Sequence, residues 1–192
     1  MSSAESAFLS GGINRRTLLK AGLGAAVGLS LPVRALGKIL PADLTEKRLS
    51  FYNTHTGESL RKVTFWAGGC YIPESLQDIN HILRDHRAGE VVEMDRELLE
   101  LLHALSTTVG AEKPFHIISG YRSAQTNQLL RKNNTGVAKR SLHMQGRAID
   151  VRIPGISTRS LRRTAMSLKC GGVGFYPESH FVHLDTGRVR YW

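Results

Sequence analysis

The chain has 192 residues, which is enough for one domain with a substantial core and too few for two domains of ordinary size. Its composition, with 41% hydrophobic and 22% charged residues, is ordinary for a soluble globular protein. The 26 Lys and Arg residues against 16 Asp and Glu give a net charge of +10, and such a basic surface suits an anionic partner such as nucleic acid, acidic lipid or cell wall.

The N-terminal segment has the pattern of an export signal. The twin arginine Arg15-Arg16 precedes an apolar run over residues 21–31, which is shorter than the roughly 20 apolar residues of a membrane-spanning helix. Pro32 ends the run, and the following "VRA" has small residues at the positions that a signal peptidase recognises. A buried or interfacial N-terminal helix is the alternative interpretation.

The segment resembles a twin-arginine (Tat) signal peptide. We therefore expect residues 1–35 to direct export by the twin-arginine machinery to the periplasm, and residues 36–192 to form the mature domain. No cysteine follows the apolar run, so no lipid anchor and no stable membrane attachment is expected after cleavage.

Without residues 1–35 the chain keeps 22 basic and 15 acidic residues, a net charge of +7. Export, the scattered positions of the basic residues and the lack of a recognised motif argue against a nucleic-acid partner. The basic surface is then expected to meet another anionic partner.

The first half of the mature chain predicts two strands and two helices. "KRLSFYNTHTGESLRKVTFW" predicts two strands joined by a turn at residues 55–58. "PESLQDINHILRDHR" carries apolar residues at helical spacing after a proline. "DRELLELLHALSTTVG" predicts a second helix with Asp95 as its N-cap, a leucine stripe on one face and an end at Gly110.

The second half mixes short strands and helices. "FHIISGYR" predicts a strand, and "SAQTNQLLRKN" predicts a helix capped by Ser123. "STRSLRRTAMSLKCGG" predicts a basic amphipathic helix that ends at Gly171-Gly172, before the last strands "GVGFY" and "HFVHLDTG". Because there is no regular βαβ rhythm, we expect an α+β domain with a largely antiparallel central sheet flanked by helices.

The two cysteines, Cys70 and Cys170, lie 100 residues apart. An oxidising compartment permits a disulfide between them, and two unpaired, partly buried thiols are an equal alternative. Neither has CxxC spacing, so a structural zinc knuckle is not expected.

The stretch "SLHMQGRAIDVR" predicts a polar site at the start of a strand. In "AIDVRI" the residues alternate, so Asp150 lies on the polar face while the isoleucines and the valine face the core. A bend at Gly146 can bring His143 back over Asp150. In "FVHLD", His183 likewise lies on the face opposite the core.

If these two strands are neighbours, His143, Asp150 and His183 converge. Two imidazoles and one carboxylate make a three-ligand zinc site with one position open to water, as in catalytic zinc sites. Bound zinc lowers the pKa of its water to near 7. Chance placement of three ordinary polar residues is the alternative.

The same stretch matches the SxHxxGxAxD motif of the M15 peptidases, and the chain resembles this family of the lysostaphin, D-Ala-D-Ala peptidase and hedgehog-like (LAS) fold. "NTHTGES", "SGYRS", "GVAKRSLHMQGRAID", "GGVGFYP" and "FVHLDTG" resemble in particular the murein endopeptidase K group of periplasmic proteins. The resemblance covers nearly all of residues 48–192.

The resemblance implies roles for individual residues. His143, Asp150 and His183 correspond to the zinc ligands. Arg122 in "SGYRS" corresponds to the arginine beside the substrate carbonyl, where a guanidinium can stabilise an oxyanion or pair with a substrate carboxylate. A surface ion pair is the alternative role for Arg122.

The general base is left open by the sequence. M15 dipeptidases have a glutamate three residues before the last histidine, where this chain has His180. An imidazole can accept a proton from water at neutral pH, but strand parity puts His180 on the other face from His183. Asp185 has the right parity and is the second candidate, either as the base or as a partner that orients a ligand histidine.

The resemblance implies a zinc-dependent peptidase that hydrolyses amide bonds in peptidoglycan cross-links. A carboxypeptidase that trims peptidoglycan stem peptides is the alternative enzyme. A non-catalytic, zinc-stabilised murein-binding module is the alternative from another class.

Overall fold

The structure is a computed structural model that describes residues 46–133 and 136–192. The signal peptide expected over residues 1–35 lies outside these described residues. Within them, no helix combines the length and the apolar character needed to cross a membrane.

Eight strands form one sheet with the order β3-β2-β1-β4-β5-β7-β6-β8. Neighbouring strands are antiparallel except for the pairs β1–β4 and β6–β8, which are parallel. The strands are β1 (Glu46–Asn53), β2 (Ser59–Ala67), β3 (Cys70–Tyr71), β4 (Phe115–Ser119), β5 (Ala148–Arg152), β6 (Gly172–Tyr176), β7 (Phe181–Asp185) and β8 (Arg190–Tyr191). The expected α+β domain with a largely antiparallel sheet is confirmed.

In the described part of the chain four α-helices accompany the sheet: α1 (Pro73–Ile82), α2 (Arg96–Thr108), α3 (Ala124–Asn133) and α4 (Thr158–Leu168). The caps follow from the sequence, because Asp95 accepts from the backbone N–H of Glu97 and Ser123 Oγ accepts from that of Thr126. A short 3-10 helix, Leu142–Gln145, lies just before β5.

One apolar core lies between the sheet and helices α1, α2 and α4. The leucine stripe of α2 is buried in it, together with Ile149 and Val151 of β5 and Val182 and Leu184 of β7. Because side chains alternate along a strand, the residues between these on β5 and β7 point to the opposite face of the sheet. That face carries the polar site.

Three features differ from the sequence-based expectation. Strands β3 and β8 were not expected, because two residues are too few to show an alternating pattern. Helix α4 ends at Leu168, with Lys169 in the left-handed region at φ 54°, earlier than the expected end at Gly171-Gly172. Gly172 instead begins β6, where a Cβ atom would collide with the carboxylate of Asp185.

Candidate metal centre

His143 is held in place by a tight turn and a carbonyl. It lies in the 3-10 helix that ends at Gly146, whose φ of 67° is the left-handed conformation that favours glycine. The imidazole is 1% exposed, and its Nδ1 donates to the carbonyl oxygen of Gly120 at 2.7 Å. Because a carbonyl only accepts, the proton is on Nδ1 and the lone pair is on Nε2. The bend expected at Gly146 is confirmed.

Asp150 and His183 face each other across two neighbouring strands. They are partners in the antiparallel register of β5 and β7, and Oδ1 of Asp150 lies 2.8 Å from Nδ1 of His183. The register, and therefore the pair, is set by the burial of the alternate residues on both strands.

The three side chains meet at one point. Nε2 of His143 lies 3.2 Å from Nδ1 of His183 and 3.3 Å from Oδ1 of Asp150. Ligand bonds of about 2.0–2.2 Å in a tetrahedral arrangement put neighbouring donor atoms about 3.3–3.6 Å apart. The 3.2 and 3.3 Å separations are close to this spacing, whereas the 2.8 Å between Asp150 and His183 is shorter. Two imidazole nitrogens and a carboxylate oxygen are a donor set that suits zinc, and the predicted convergence of His143, Asp150 and His183 is observed.

The second ring nitrogen of His183 is bound as well. Nε2 of His183 lies 2.9 Å from Oδ2 of Asp185, a carboxylate with no solvent exposure. Asp185 also accepts from Arg190 and from the backbone N–H groups of Gly172 and Gly187. The proton on Nε2 therefore points to Asp185 and leaves Nδ1 as the donor for a metal.

The charges in the site are strongly coupled. Burial acts to raise the pKa of Asp150, but the neighbouring His143 and His183 hold the pKa of this carboxyl well below its usual range. Burial lowers the pKa of His143. For His183 burial also acts to lower the pKa, but the hydrogen bonds to Asp150 and Asp185 outweigh it and raise the pKa to about 8. A metal ion must displace that proton, so acid opposes metal binding.

Arg122 contacts two of the three candidate ligands. Its Nη2 donates to Oδ2 of Asp150 and to Nε2 of His143, the latter at 3.1 Å, while Nε donates to Ser119 at 2.8 Å. The backbone N–H of Arg122 also donates to the carbonyl of His143. The arginine predicted beside the site therefore contacts it, bound to the buried candidate ligand Asp150 rather than to a surface carboxylate.

A cavity of about 560 Å³ opens over these residues. An aromatic surface, which we define as Tyr176, Phe181 and Trp192, lines it next to His183. The rings of Tyr176 and Phe181 stack at 4.6 Å, and the indole of Trp192 donates to the Tyr176 hydroxyl at 3.0 Å. The Trp192 ring lies 5.3 Å from that of His183, so the aromatic surface borders the candidate metal centre directly.

The family model described as peptidoglycan L,D-endopeptidase MepK matches residues 42–192. The chain belongs to this family. The proteins named peptidoglycan L,D-endopeptidase MepK from Escherichia coli strain K12 and from Shigella flexneri are each 44% identical over 182 residues, which cover 93% of this chain and 97% of theirs. The protein named probable peptidoglycan L,D-endopeptidase MepK from Haemophilus influenzae is 39% identical over 181 residues, 93% of this chain and 95% of its own.

Membership of this family confirms the resemblance to the M15 peptidases and to the murein endopeptidase K group. In the structure, the residues that carry the resemblance lie around one site. "SGYRS" supplies Gly120 and Arg122, "SLHMQGRAID" supplies His143 and Asp150, and "FVHLD" supplies His183.

The two candidate bases lie in different surroundings. His180 is exposed in the turn between β6 and β7, with φ at 53°, and its neighbours Ser179 and Phe181 line the cavity. Asp185 is buried behind His183, with both of its oxygens accepting hydrogen bonds.

Several residues around the site were not singled out from the sequence. The carbonyl of Gly120 was missed because backbone acceptors leave no mark in residue type. Nothing in the sequence marks Tyr176, within "GGVGFYP", or Trp192 as part of a shared surface. Phe181 shares the face of His183 by strand parity, which was the available signal for the aromatic surface.

Both cysteines are unpaired and exposed. A disulfide between Cys70 and Cys170 does not form in the structure. The alternative of two unpaired thiols is observed, but the cysteines are exposed and not partly buried as expected.

Proposed function

We propose that this protein is an exported, zinc-dependent peptidoglycan endopeptidase that hydrolyses L,D-amide bonds in peptide cross-links. One observation carries the proposal: two imidazole nitrogens and a carboxylate oxygen lie 2.8–3.3 Å from one another beneath an open cavity, and each imidazole has its other nitrogen fixed by an acceptor. The printed names of the relatives support the substrate and the bond type.

In this proposal His143, Asp150 and His183 hold the zinc ion. When bound, zinc supplies a Lewis acid that activates water and polarises a carbonyl. Gly120 and Asp185 orient the two imidazoles. Arg122, whose guanidinium reaches two of the ligands, stabilises the negative charge that develops on the carbonyl oxygen of the scissile amide.

For the general base the contacts favour His180 over Asp185. A base must accept a proton from water in the cleft, and Asp185 has no exposure and already accepts from Arg190 and two backbone N–H groups. His180 is exposed, and its chain neighbours Ser179 and Phe181 both line the cavity. We therefore assign Asp185 to the orientation of His183 and the proton transfer to His180.

The proposal is tested by incubating purified mature protein with isolated murein sacculi and resolving the released muropeptides by mass. We expect loss of cross-linked dimers and gain of monomers, abolished by a chelator and restored by added zinc. His183→Ala should be inactive, and His116→Ala, which changes a histidine on β4 outside the site, should be active.

Other outcomes would identify the alternatives. Release of terminal amino acids with cross-links intact would identify a carboxypeptidase. Zinc-dependent binding to sacculi without any cleavage would identify a murein-binding module.

We also propose that residues 1–35 are removed after export by the twin-arginine route to the periplasm. The arginine pair, the short apolar run and the small residues before Leu36 support this. N-terminal sequencing of the exported protein should begin near Leu36. Export that survives replacement of Arg15 and Arg16 by Lys would instead indicate the general secretory route.

A further inference from the structure

The cavity over the metal centre is lined by cations with almost no opposing charge. Among the described residues its lining includes four guanidinium groups and one carboxylate, that of Asp150. Two of the arginines are neutralised, because Arg122 binds Asp150 and Arg190 binds Asp185. The other two are Arg87 and Arg140, and within the described chain neither guanidinium forms an ion pair or a hydrogen bond with a protein group.

Arg87 is carried by a turn that is fixed to the site. The buried carboxylate of Asp85 accepts from the backbone N–H groups of Arg87 and Ala88 through Oδ1, at 3.0 and 3.4 Å. Its Oδ2 accepts from the N–H of Ser123, the residue that follows Arg122. The turn that presents Arg87 is therefore bound to the segment that presents Arg122.

Arg140 is placed by the same local structure as His143. It directly precedes Ser141, which is 8% exposed and is the N-cap residue of the 3-10 helix that carries His143. Arg140 therefore precedes the candidate ligand His143 by three residues in the chain. Arg140 also lines the cavity.

The two sides of the cavity carry different kinds of side chain because of the strand order. Strands β5 and β7, with Asp150 and His183, are central, and β4 and β6 flank them. The segment after β4 carries Arg122 and holds the turn of Arg87, whereas Tyr176 of the aromatic surface lies on β6. Arg122 and Arg87 thus lie towards the β4 side, whereas the aromatic rings and the neutralised Arg190 of β8 lie towards the β6 side.

We propose that Arg87 and Arg140 form a subsite for a free carboxylate of the substrate, next to the amide bond that is hydrolysed. The inference rests on the proposed endopeptidase function and specifies its substrate as an acidic peptide. A guanidinium without a protein partner binds a carboxylate through two parallel hydrogen bonds, and a cationic cleft concentrates anionic substrates. The subsite selects peptides with a free carboxylate over their amidated counterparts.

The test compares two substrates and five proteins, one of which is a control. The substrates are a cross-linked muropeptide dimer released from sacculi by a muramidase, and the same dimer with its carboxylates converted to carboxamides. The proteins are the wild type, Arg87→Gln, Arg140→Gln and the double variant, each checked for bound zinc. Arg159→Gln, which removes an exposed arginine of α4 outside the cavity, is the matched control.

We expect wild type and Arg159→Gln to prefer the free acid by roughly ten- to hundredfold in kcat/KM, mainly through KM, as is typical for hydrogen bonds to a charged group. Each single variant should lose part of this preference. In the double variant the ratio of kcat/KM for the free acid to that for the amide should be near one.

A wild type that hydrolyses both dimers equally, or a double variant that keeps the preference, would overturn the subsite while the endopeptidase function stands. Failure of the wild type to hydrolyse either dimer or sacculi would instead overturn the function itself.

Discussion

Asp150 and His183 are direct partners across two antiparallel strands, with Oδ1 and Nδ1 2.8 Å apart. The pair is therefore fixed by the register of the sheet rather than by a flexible loop. A slip of one residue on either strand would move its polar side chain into the core and its core residues to the site. Packing of Ile149, Val151 and Val182 thus keeps two candidate metal ligands in place.

Removal of one candidate ligand should abolish metal binding. We expect His183→Ala to lose stoichiometric zinc, because two remaining donors do not complete a site that needs three protein ligands. Metal content of the purified protein by emission spectrometry measures this, with His116→Ala as the control that keeps zinc. Full zinc content in His183→Ala would mean that the metal is bound elsewhere.

The convergence of this site was largely predictable from the sequence because it depends on local patterns. Alternation along "AIDVRI" and "FVHLD" put Asp150 and His183 on the faces opposite the core, and Gly146 marked the turn that returns His143. Local patterns do not show that the two strands are neighbours, because strand neighbours are set by long-range packing. Their pairing therefore had to be assumed.

The contacts that distinguish the roles of these residues were not predictable. The acceptor of His143 is a backbone carbonyl 23 residues earlier in the chain, and no residue type marks it. Parity alone left Asp185 open as a base, and only its burial and its bonds to Arg190 and to backbone N–H groups favour orientation. The two-residue strands β3 and β8 carry no periodic signal at all.

Gly120 is predicted to be essential for the position of His143. A Cβ at this residue would collide with the carbonyl oxygen of Leu83, so Gly120→Ala must shift the backbone whose own carbonyl binds His143. We expect a loss of roughly 1–3 kcal/mol in the free energy of unfolding, as for other overpacked sites, together with weaker zinc binding. Urea denaturation and chelator competition measure the two effects.

The comparison variant is Gly110→Ala, which adds a methyl group in open space at φ 61°. It should lower the free energy of unfolding by about 1 kcal/mol, because of the backbone conformation alone, and leave zinc affinity unchanged. Equal zinc affinity in both variants would contradict a role for Gly120 in positioning His143.

The buried carboxylate of Asp85 should stabilise the fold in a pH-dependent way. Burial acts to raise the pKa of Asp85, but hydrogen bonds from Thr126 and Ser123 outweigh it and lower the pKa from 3.8 to about 2. Because the folded pKa is lowered, this stabilisation is present above pH 3.8 and is lost as the pH falls through about 2. The difference corresponds to about 2 kcal/mol at neutral pH.

We therefore expect Asp85→Asn to lower the free energy of unfolding by about 2 kcal/mol at pH 7 and by less at pH 3. Urea denaturation at both pH values measures this. The exposed Asp78→Asn is the control and should change stability by no more than about 0.5 kcal/mol. A pH-independent loss in Asp85→Asn would contradict the contribution of the ionised carboxylate.

Asp185→Ala should weaken zinc binding. Without this carboxylate the Nε2 proton of His183 has no acceptor, so neither the tautomer nor the ring orientation of His183 is fixed. Loss of such a partner typically costs ten- to hundredfold in metal affinity. Competition with a chelator of known affinity measures it, and Asp185→Asn, which keeps an acceptor oxygen, should be less affected. Native zinc affinity combined with lost activity would instead identify Asp185 as the base.

His180 should be required for catalysis and dispensable for metal. We expect His180→Ala to keep stoichiometric zinc and to lose roughly 10²–10⁴-fold in kcat, the range typical of a missing general base. Because φ is 53° at this residue, His180→Asn is the better-matched variant, since asparagine tolerates the left-handed region. Glu178→Ala, in the same exposed turn, is the control and should keep near-native activity.

Near-native hydrolysis of cross-links by both His180 variants would exclude this imidazole as the proton acceptor. If Asp185→Ala is also active once loaded with zinc, the acceptor is another group of the cleft.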